Sequence, residues 1–363
     1  MVTVSSLRRF LPRLAVVAMI WTLLNVYVGA HLLDGSGRSP AVTALGWVAV
    51  LVFGWLPFMG FAAGRSRLPA KRALEWAGYV AMGVSSLLIV AFAAADLLHV
   101  RHAGPEILGG VALLTVVGLV QARHPRVVRV AVPIRNLPSD LAGLRIVQLS
   151  DLHVGATIRR GFVESVVDVT NALAPDLVAV TGDVADGLVP ELRDHVAPLG
   201  RLRAPLGRFF VTGNHEYYWD PRGWTQELER LGLAVLSNEH RLLVRGSGRL
   251  LLAGITDLSV DSDPHAALAG APESDVRVLL AHQPRSAYAA RAAGFDLQLS
   301  GHTHGGQFFP FNLLVRLFQP FVAGLHRLEE MWLYVSRGTG FWGPPLRLGA
   351  PAEITLLELV PAE

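Results

Sequence analysis

The chain has 363 residues, enough for one sizeable domain and a further region. Hydrophobic residues make up 52% and charged residues 17%, with a mean hydropathy of +0.41, which is too apolar for an ordinary soluble enzyme. The net charge is +3 and there is no cysteine, which excludes disulfides, thiolate metal sites and cysteine nucleophiles.

The apolar excess lies before residue 122. Leu14–Leu33, Ala41–Ala63 and Trp76–Leu98 are each long enough to cross a bilayer as a helix. A fourth run, Ile107–Val120, is shorter and is expected either to span or to lie at the interface. The first span is followed at once by others, so it does not read as a cleavable leader. Basic residues flank these runs: Arg8, Arg9 and Arg13; Arg65, Arg67, Lys71 and Arg72; Arg123, Arg126 and Arg129. That placement suits membrane flanks better than a phosphate-tracking stripe, so no nucleic-acid partner is expected. The segments Asp34–Arg38 and His99–Glu106 are poor in cations, and the alternation predicts four spans with the following domain in the cytoplasm. If the fourth run does not cross, that domain faces outward. The expected location is a multi-pass cell-membrane protein, with domains at 1–125 and 126–363. Nothing in the sequence sets an oligomeric state.

From about Pro133 the texture changes to short β-type runs alternating with helical patterns. Leu144–Leu149, Leu177–Val180, Arg208–Val211, Val276–Ala281 and Asp296–Leu299 are apolar runs that each end in a polar motif. Arg160–Leu173 and Trp224–Leu231 read as helices between them. Continuous apolar strands alternating with helices predict a layered α/β domain. Gly246–Gly248 and Gly343–Pro345 read as turns.

The polar motifs at these strand ends are Asp151-Leu-His153, Gly182-Asp183-Val-Ala-Asp186, Gly213-Asn214-His215-Glu216, Ala281-His282 and Gly301-His302-Thr-His304-Gly305-Gly306. Five of the 13 histidines fall inside them. Strand C-termini lie at a sheet rim, where α/β folds gather ligands. A carboxylate can bridge two cations while imidazoles and an amide oxygen fill outer positions, so this assortment points to a pair of divalent metals. The glycines are expected to let the backbone turn sharply beside each ligand. Gly305-Gly306 lacks a preceding G-x-G and is not a nucleotide fingerprint.

In that order the five motifs resemble the calcineurin-like metallophosphoesterase superfamily, with a closing segment (Tyr334-Val-Ser-Arg-Gly-Thr-Gly and Pro351-Ala-Glu-Ile-Thr-Leu-Leu) similar to a bacterial membrane-linked branch. The resemblance runs from about Leu144 to the C-terminus. It implies a four-layer α/β/β/α sandwich. It also implies one metal on Asp151, His153, Asp183 and His304, and a second on Asp183, Asn214, His282 and His302, with Asp183 bridging. His215 is then not a ligand but the group beside the leaving oxygen, which either donates a proton to it or stabilises its developing charge, and a metal-bridging hydroxide attacks phosphorus. Asp186 and Glu216 are expected to support the ligands.

Ligands of this type accept Mn, Fe, Zn or Co. The implied activity is cleavage of a phosphomonoester, phosphodiester or pyrophosphate, on a substrate that includes lipid-linked candidates. The rival reading is a transporter or sensor with a regulatory metal domain, although few ionisable residues sit in the spans. His195, His240, His265 and His326 read as surface or core residues, and His99 and His102 as interfacial. Phe308–Val322, rich in Phe and Leu, is either a buried element or an apolar lip at the bilayer.

Overall fold

The computed structural model describes residues 4–33, 37–64, 66, 68–100 and 104–362, without the side chains of 4–11 and 13. The side chains of Arg8, Arg9 and Arg13, and the residues Asp34, Arg65, Arg67 and His102, therefore lie outside the described residues. The chain divides into two compact units, Met1–Gly118 with Gly343–Pro345, and Leu119–Trp342 with Leu346–Glu363.

The first unit is helical: α1 (Val4–Leu33), α2 (Pro40–Gly64), α3 (Lys71–Leu97) and α4 (Gly104–Arg123). All four are long and apolar enough to cross a membrane. The fourth is a helix of 20 residues, longer than its apolar centre at Ile107–Val120 suggests. Small residues set the α2–α3 contact. A Cβ added to Gly78 would lie 2.6 Å from the Leu56 carbonyl oxygen, and one on Gly60 would lie 2.7 Å from that of Leu74. Close backbone approach of this kind is how helices pack where burial of apolar surface gives no drive.

The second unit holds twelve strands among the described residues. In chain order they are β1 (Arg126–Ile134), β2 (Arg145–Leu149), β3 (Leu177–Thr181), β4 (Arg208–Val211), β5 (Ala234–Val235), β6 (Glu239–Arg245), β7 (Gly248–Gly254), β8 (Val276–Leu280), β9 (Leu297–Ser300), β10 (Gly324–Leu328), β11 (Met331–Val335) and β12 (Glu353–Pro361). They form two six-stranded sheets, ordered β1-β12-β2-β3-β4-β5 and β10-β11-β9-β8-β7-β6. Strands β2 to β5 run parallel, as do β7, β8, β9 and β11; β12 is antiparallel to β2, and hairpin partners β6 and β10 are antiparallel to their neighbours.

Three apolar layers hold the sheets. Side chains such as Ile146, Ala179, Leu252, Val278 and Leu299 fill the space between them. The outer face of the first sheet is covered through Val166, Val180, Trp224 and Leu228, which brings in α5 (Arg160–Ala172), α6 (Val189–Val196) and, beyond the short α7 (Asn214–Trp219), α8 (Pro221–Arg230). The second sheet is covered through Leu279, Ala287 and Ala290, which includes α9 (Ala287–Ala293). The result is the expected α/β/β/α sandwich. The parallel strands β2, β3, β4, β8 and β9 are buried on both faces, hence their largely apolar sequences, interrupted within the strands by Gln148, Arg277 and Gln298.

Candidate metal centre

Each polar motif begins one to three residues beyond a parallel strand: Asp151 after β2, Asp183 after β3, Asn214 after β4, His282 after β8 and His302 after β9. Hydrogen bonds stitch these ends together across the sheets. Asp151 N donates to the Gly182 carbonyl (3.1 Å) and Gly301 N to that of His282 (2.9 Å). His302 N donates to Asp151 Oδ1 (3.0 Å). The two rims therefore meet as one site.

Backbone strain is concentrated there. Asp151, His153, Asp183, His302 and His304 all have φ between 50° and 72°, a region that side chains with a Cβ rarely adopt. The glycines contribute differently from the expectation of sharp turns. Gly182 is left-handed (φ 88°), but Gly213 is extended and is needed because it has no Cβ. A Cβ there would lie 2.1 Å from Asp183 Oδ1, and one on Gly301 would lie 2.3 Å from Asp151 Oδ2.

All seven expected ligands converge. Asp151, His153 and His304 present donor atoms within 4.8 Å of one another, and Asp183, His282 and His302 do the same. Asn214 joins the second group, its Oδ1 3.2 Å from His282 Nε2. Asp183 lies between the groups, with Oδ2 3.1 Å from His282 Nε2 and 3.9 Å from His153 Nε2.

The hydrogen bonds around the imidazoles orient them. His282 Nδ1 donates to the Thr181 carbonyl (2.8 Å), which turns Nε2 toward Asp183, Asn214 and His302 Nδ1 (3.2 Å). His153 Nδ1 donates to Asp186 Oδ1 (3.3 Å), which likewise turns Nε2 inward. His304 differs. Its Nδ1 faces Arg347 Nη2 (3.1 Å), which can only donate, so its ring proton sits on Nε2 against His153 Nε2 (3.0 Å).

Electrostatics mark the same place. Burial raises Asp151 above the usual carboxylate range. Asp183 is held well below it: burial opposes ionisation, but the charge and hydrogen bond of His282 win. Burial alone would lower His282, yet Asp183 pulls it up to about 10. His302 falls to about 4, through burial and then the His282 charge. Buried carboxylates are drawing a proton onto one imidazole, which is the demand for positive charge that cations meet. The donor set, all oxygen and imidazole nitrogen, fits divalent metals.

His215 stands beside this cluster. Its Nδ1 donates to Asp186 Oδ1 (2.5 Å), and its Nε2 is 3.9 Å from Asp183 Oδ2. Exposed aromatic rings flank it, Tyr218 at 5.1 Å and Trp342 at 5.7 Å between centroids. Glu216, on the same turn, is fully buried and accepts from the backbone N–H groups of Gly213 (2.7 Å), Asp183 (3.0 Å) and Val184 (2.8 Å). It ties two ligand loops to one carboxylate.

Two further contributors carry no signal in the sequence. Arg347 is completely buried and donates to the carbonyls of His304 (2.9 Å), Arg337 (2.7 Å) and Gly340. Gln307 fixes Trp342 through two backbone hydrogen bonds, at 2.9 and 3.0 Å. Of the other histidines, His240 and His326 bond to backbone carbonyls away from the cluster.

Comparison with known proteins identifies the family of the sandwich. The family profile described as calcineurin-like phosphoesterase matches residues 144–306. A zebrafish (Danio rerio) protein named "Transmembrane protein with metallophosphoesterase domain" is 41% identical over 264 residues, covering 68% of this chain and 60% of its own length. An uncharacterized metallophosphoesterase of Aquifex aeolicus is 33% identical, covering 64% of this chain and 91% of its own length. One of Bacillus subtilis is 31% identical, covering 61% and 81%. Similarity thus extends to animal as well as bacterial proteins, and the chain spans about 60% of the length of the animal relatives.

Proposed function

This chain belongs to the calcineurin-like phosphoesterase family, and from that premise we propose that it is a membrane-anchored, metal-dependent phosphohydrolase that works with two divalent cations. The observation that carries this reading is the inward crowding of His282 Nε2, Asp183 Oδ2, Asn214 Oδ1 and His302 Nδ1, spaced 3.1 to 3.2 Å apart along His282's contacts. Without metal the protonated His282 answers the Asp183 charge alone, whereas a divalent cation would engage the carboxylate, the amide oxygen and both imidazoles together.

Asp151, His153, Asp183 and His304 would hold one metal, and Asp183, Asn214, His282 and His302 the other. Bound there, the pair supplies Lewis acidity toward phosphoryl oxygens and makes water nucleophilic near neutral pH. The protein's own part is positioning. Glu216 fixes the loops that carry Asp183 and Asn214, and Asp186 orients His153 and His215. His215 Nε2, facing the site, gives its proton to the departing oxygen. Tyr218 and Trp342 flank His215 and offer aromatic faces to the leaving group.

Membrane attachment rests on the four helices, and the Lys/Arg bias of their flanks favours a cytoplasmic sandwich. The test is turnover of a panel of mono-, di- and pyrophosphate substrates, including lipid-linked ones, by the full chain with Mn²⁺. Turnover lost in Asp183→Asn supports the reading. Metal-loaded protein inert on the whole panel supports a regulatory metal domain instead.

A further inference from the structure

After the last ligand motif the chain makes an excursion from Gln307 to Ala323 before β10 begins. Its root is fastened to the site. A Cβ on Gly306 would lie 2.2 Å from Asn312 Cα, Phe308 is buried, and Thr303 Oγ1 donates to the Val322 carbonyl. Its tip is not covered. Phe309, Phe311, Leu313, Leu314, Leu317 and Phe318 are all exposed, Leu317 by 75% and Phe318 by 69%. The helical turn α10 (Phe311–Leu314) and the 3₁₀ turn Val315–Leu317 bury none of their residues. Of the two expectations for this stretch, a buried element is wrong for the tip. Six large apolar side chains exposed within ten residues are a binding surface or a liability.

The surrounding chemistry selects a lipid. From Leu297 to Leu328 the sequence has no Asp or Glu, while Arg316 and Arg327 are cationic. Arg285 donates to the Phe318 carbonyl, and Arg285, Tyr288 and Arg316 line one groove with Leu317 and Phe318. Leucines and aromatics with Arg and Tyr at their margin suit the boundary between acyl chains and headgroup phosphates. Pairing this face with itself in a second copy would set like charges together.

We propose that the tip from Phe309 to Phe318 inserts into the lipid surface, with Arg285 and Arg316 on headgroup phosphates, so that the mouth of the metal site opens at the membrane boundary. The inference rests on the membrane part of the proposed function and not on the bond cleaved. The absence of native cysteine makes a direct test available. Phe318→Cys, and Asp168→Cys on an exposed part of α5 as control, each carry an environment-sensitive fluorophore in full-length protein reconstituted into phosphatidylcholine–phosphatidylglycerol vesicles. The probe at 318 is expected to lose emission when the acyl chains are brominated near the headgroup, and the probe at 168 to keep it. Leu317→Cys gives the same reading if the first variant folds poorly. Emission at the tip that is insensitive to bromination overturns the proposal, whether the tip lies in water or against another copy of the chain.

Discussion

Asp186 holds His215: its Oδ1 accepts the Nδ1 proton of His215 at 2.5 Å, while the same oxygen accepts from His153 Nδ1 at 3.3 Å. One carboxylate thus orients both the proposed proton donor and a proposed metal ligand. Replacing it with asparagine removes the negative partner that keeps His215 protonated. A proton donor must be charged to act, so the alkaline limb of kcat/KM should move to lower pH in Asp186→Asn. Activity should fall by roughly 10–100-fold, the usual effect of losing such support. A pH–rate profile with an unmoved limb would show that Asp186 does not govern His215.

The same pair makes stability depend on pH in the metal-free chain. Burial by itself would lower His215, but the hydrogen bond and charge of Asp186 outweigh it and push His215 up to about 9 from an ordinary 6.5. A histidine raised on folding contributes stability that is fully present below the unfolded value of 6.5 and is lost as pH rises through about 9. Thermal unfolding in chelator should therefore show Tm declining across that window in the native chain. The decline should flatten in Asp186→Asn.

Much of this centre is legible from the sequence, and for a physical reason. A doubly covered parallel strand is a predominantly apolar run, so the Gly-, Asp- and His-bearing motifs that follow Leu149, Thr181, Val211, Leu280 and Ser300 stand out against it. What is not legible depends on contacts made far along the chain. Arg347 lies 43 residues from His304, in a Leu-Arg-Leu setting that gives no hint of burial. The insertion of β12 between β1 and β2 is a pairing that no local pattern dictates. The glycine roles were only half visible. Sharp turning explains Gly182, whereas Gly213 is required by the Asp183 carboxylate and Gly301 by the Ser150 hydroxyl and the Asp151 carboxylate, which reach them from other strands.

Gly213→Ala tests that last point. Its Cβ would collide with Asp183 Oδ1, which must move because the backbone on the other side is fixed by Glu216. Metal content measured by elemental analysis should drop in this variant while the fold, read by circular dichroism, persists. Full metal content would mean that Asp183 can relax without losing its place.

Arg347→Met should destabilise the sandwich by about 2–4 kcal/mol, because several buried carbonyls lose their donor at once. Lysine keeps the charge but not the fork, and should recover only part of the loss. Denaturant unfolding of the full chain in detergent measures both. A methionine variant as stable as the native chain would show that water replaces the guanidinium at no cost.

The most direct test of the two-cation account is metal titration of the chelated full chain, followed by release of product from a chromogenic phosphodiester. The account predicts that turnover is restored only as a second equivalent of Mn²⁺ per chain is bound. It also predicts that Asp183→Asn, lacking the proposed bridge, never reaches it. Full turnover at one equivalent, or turnover that survives chelation, would contradict it.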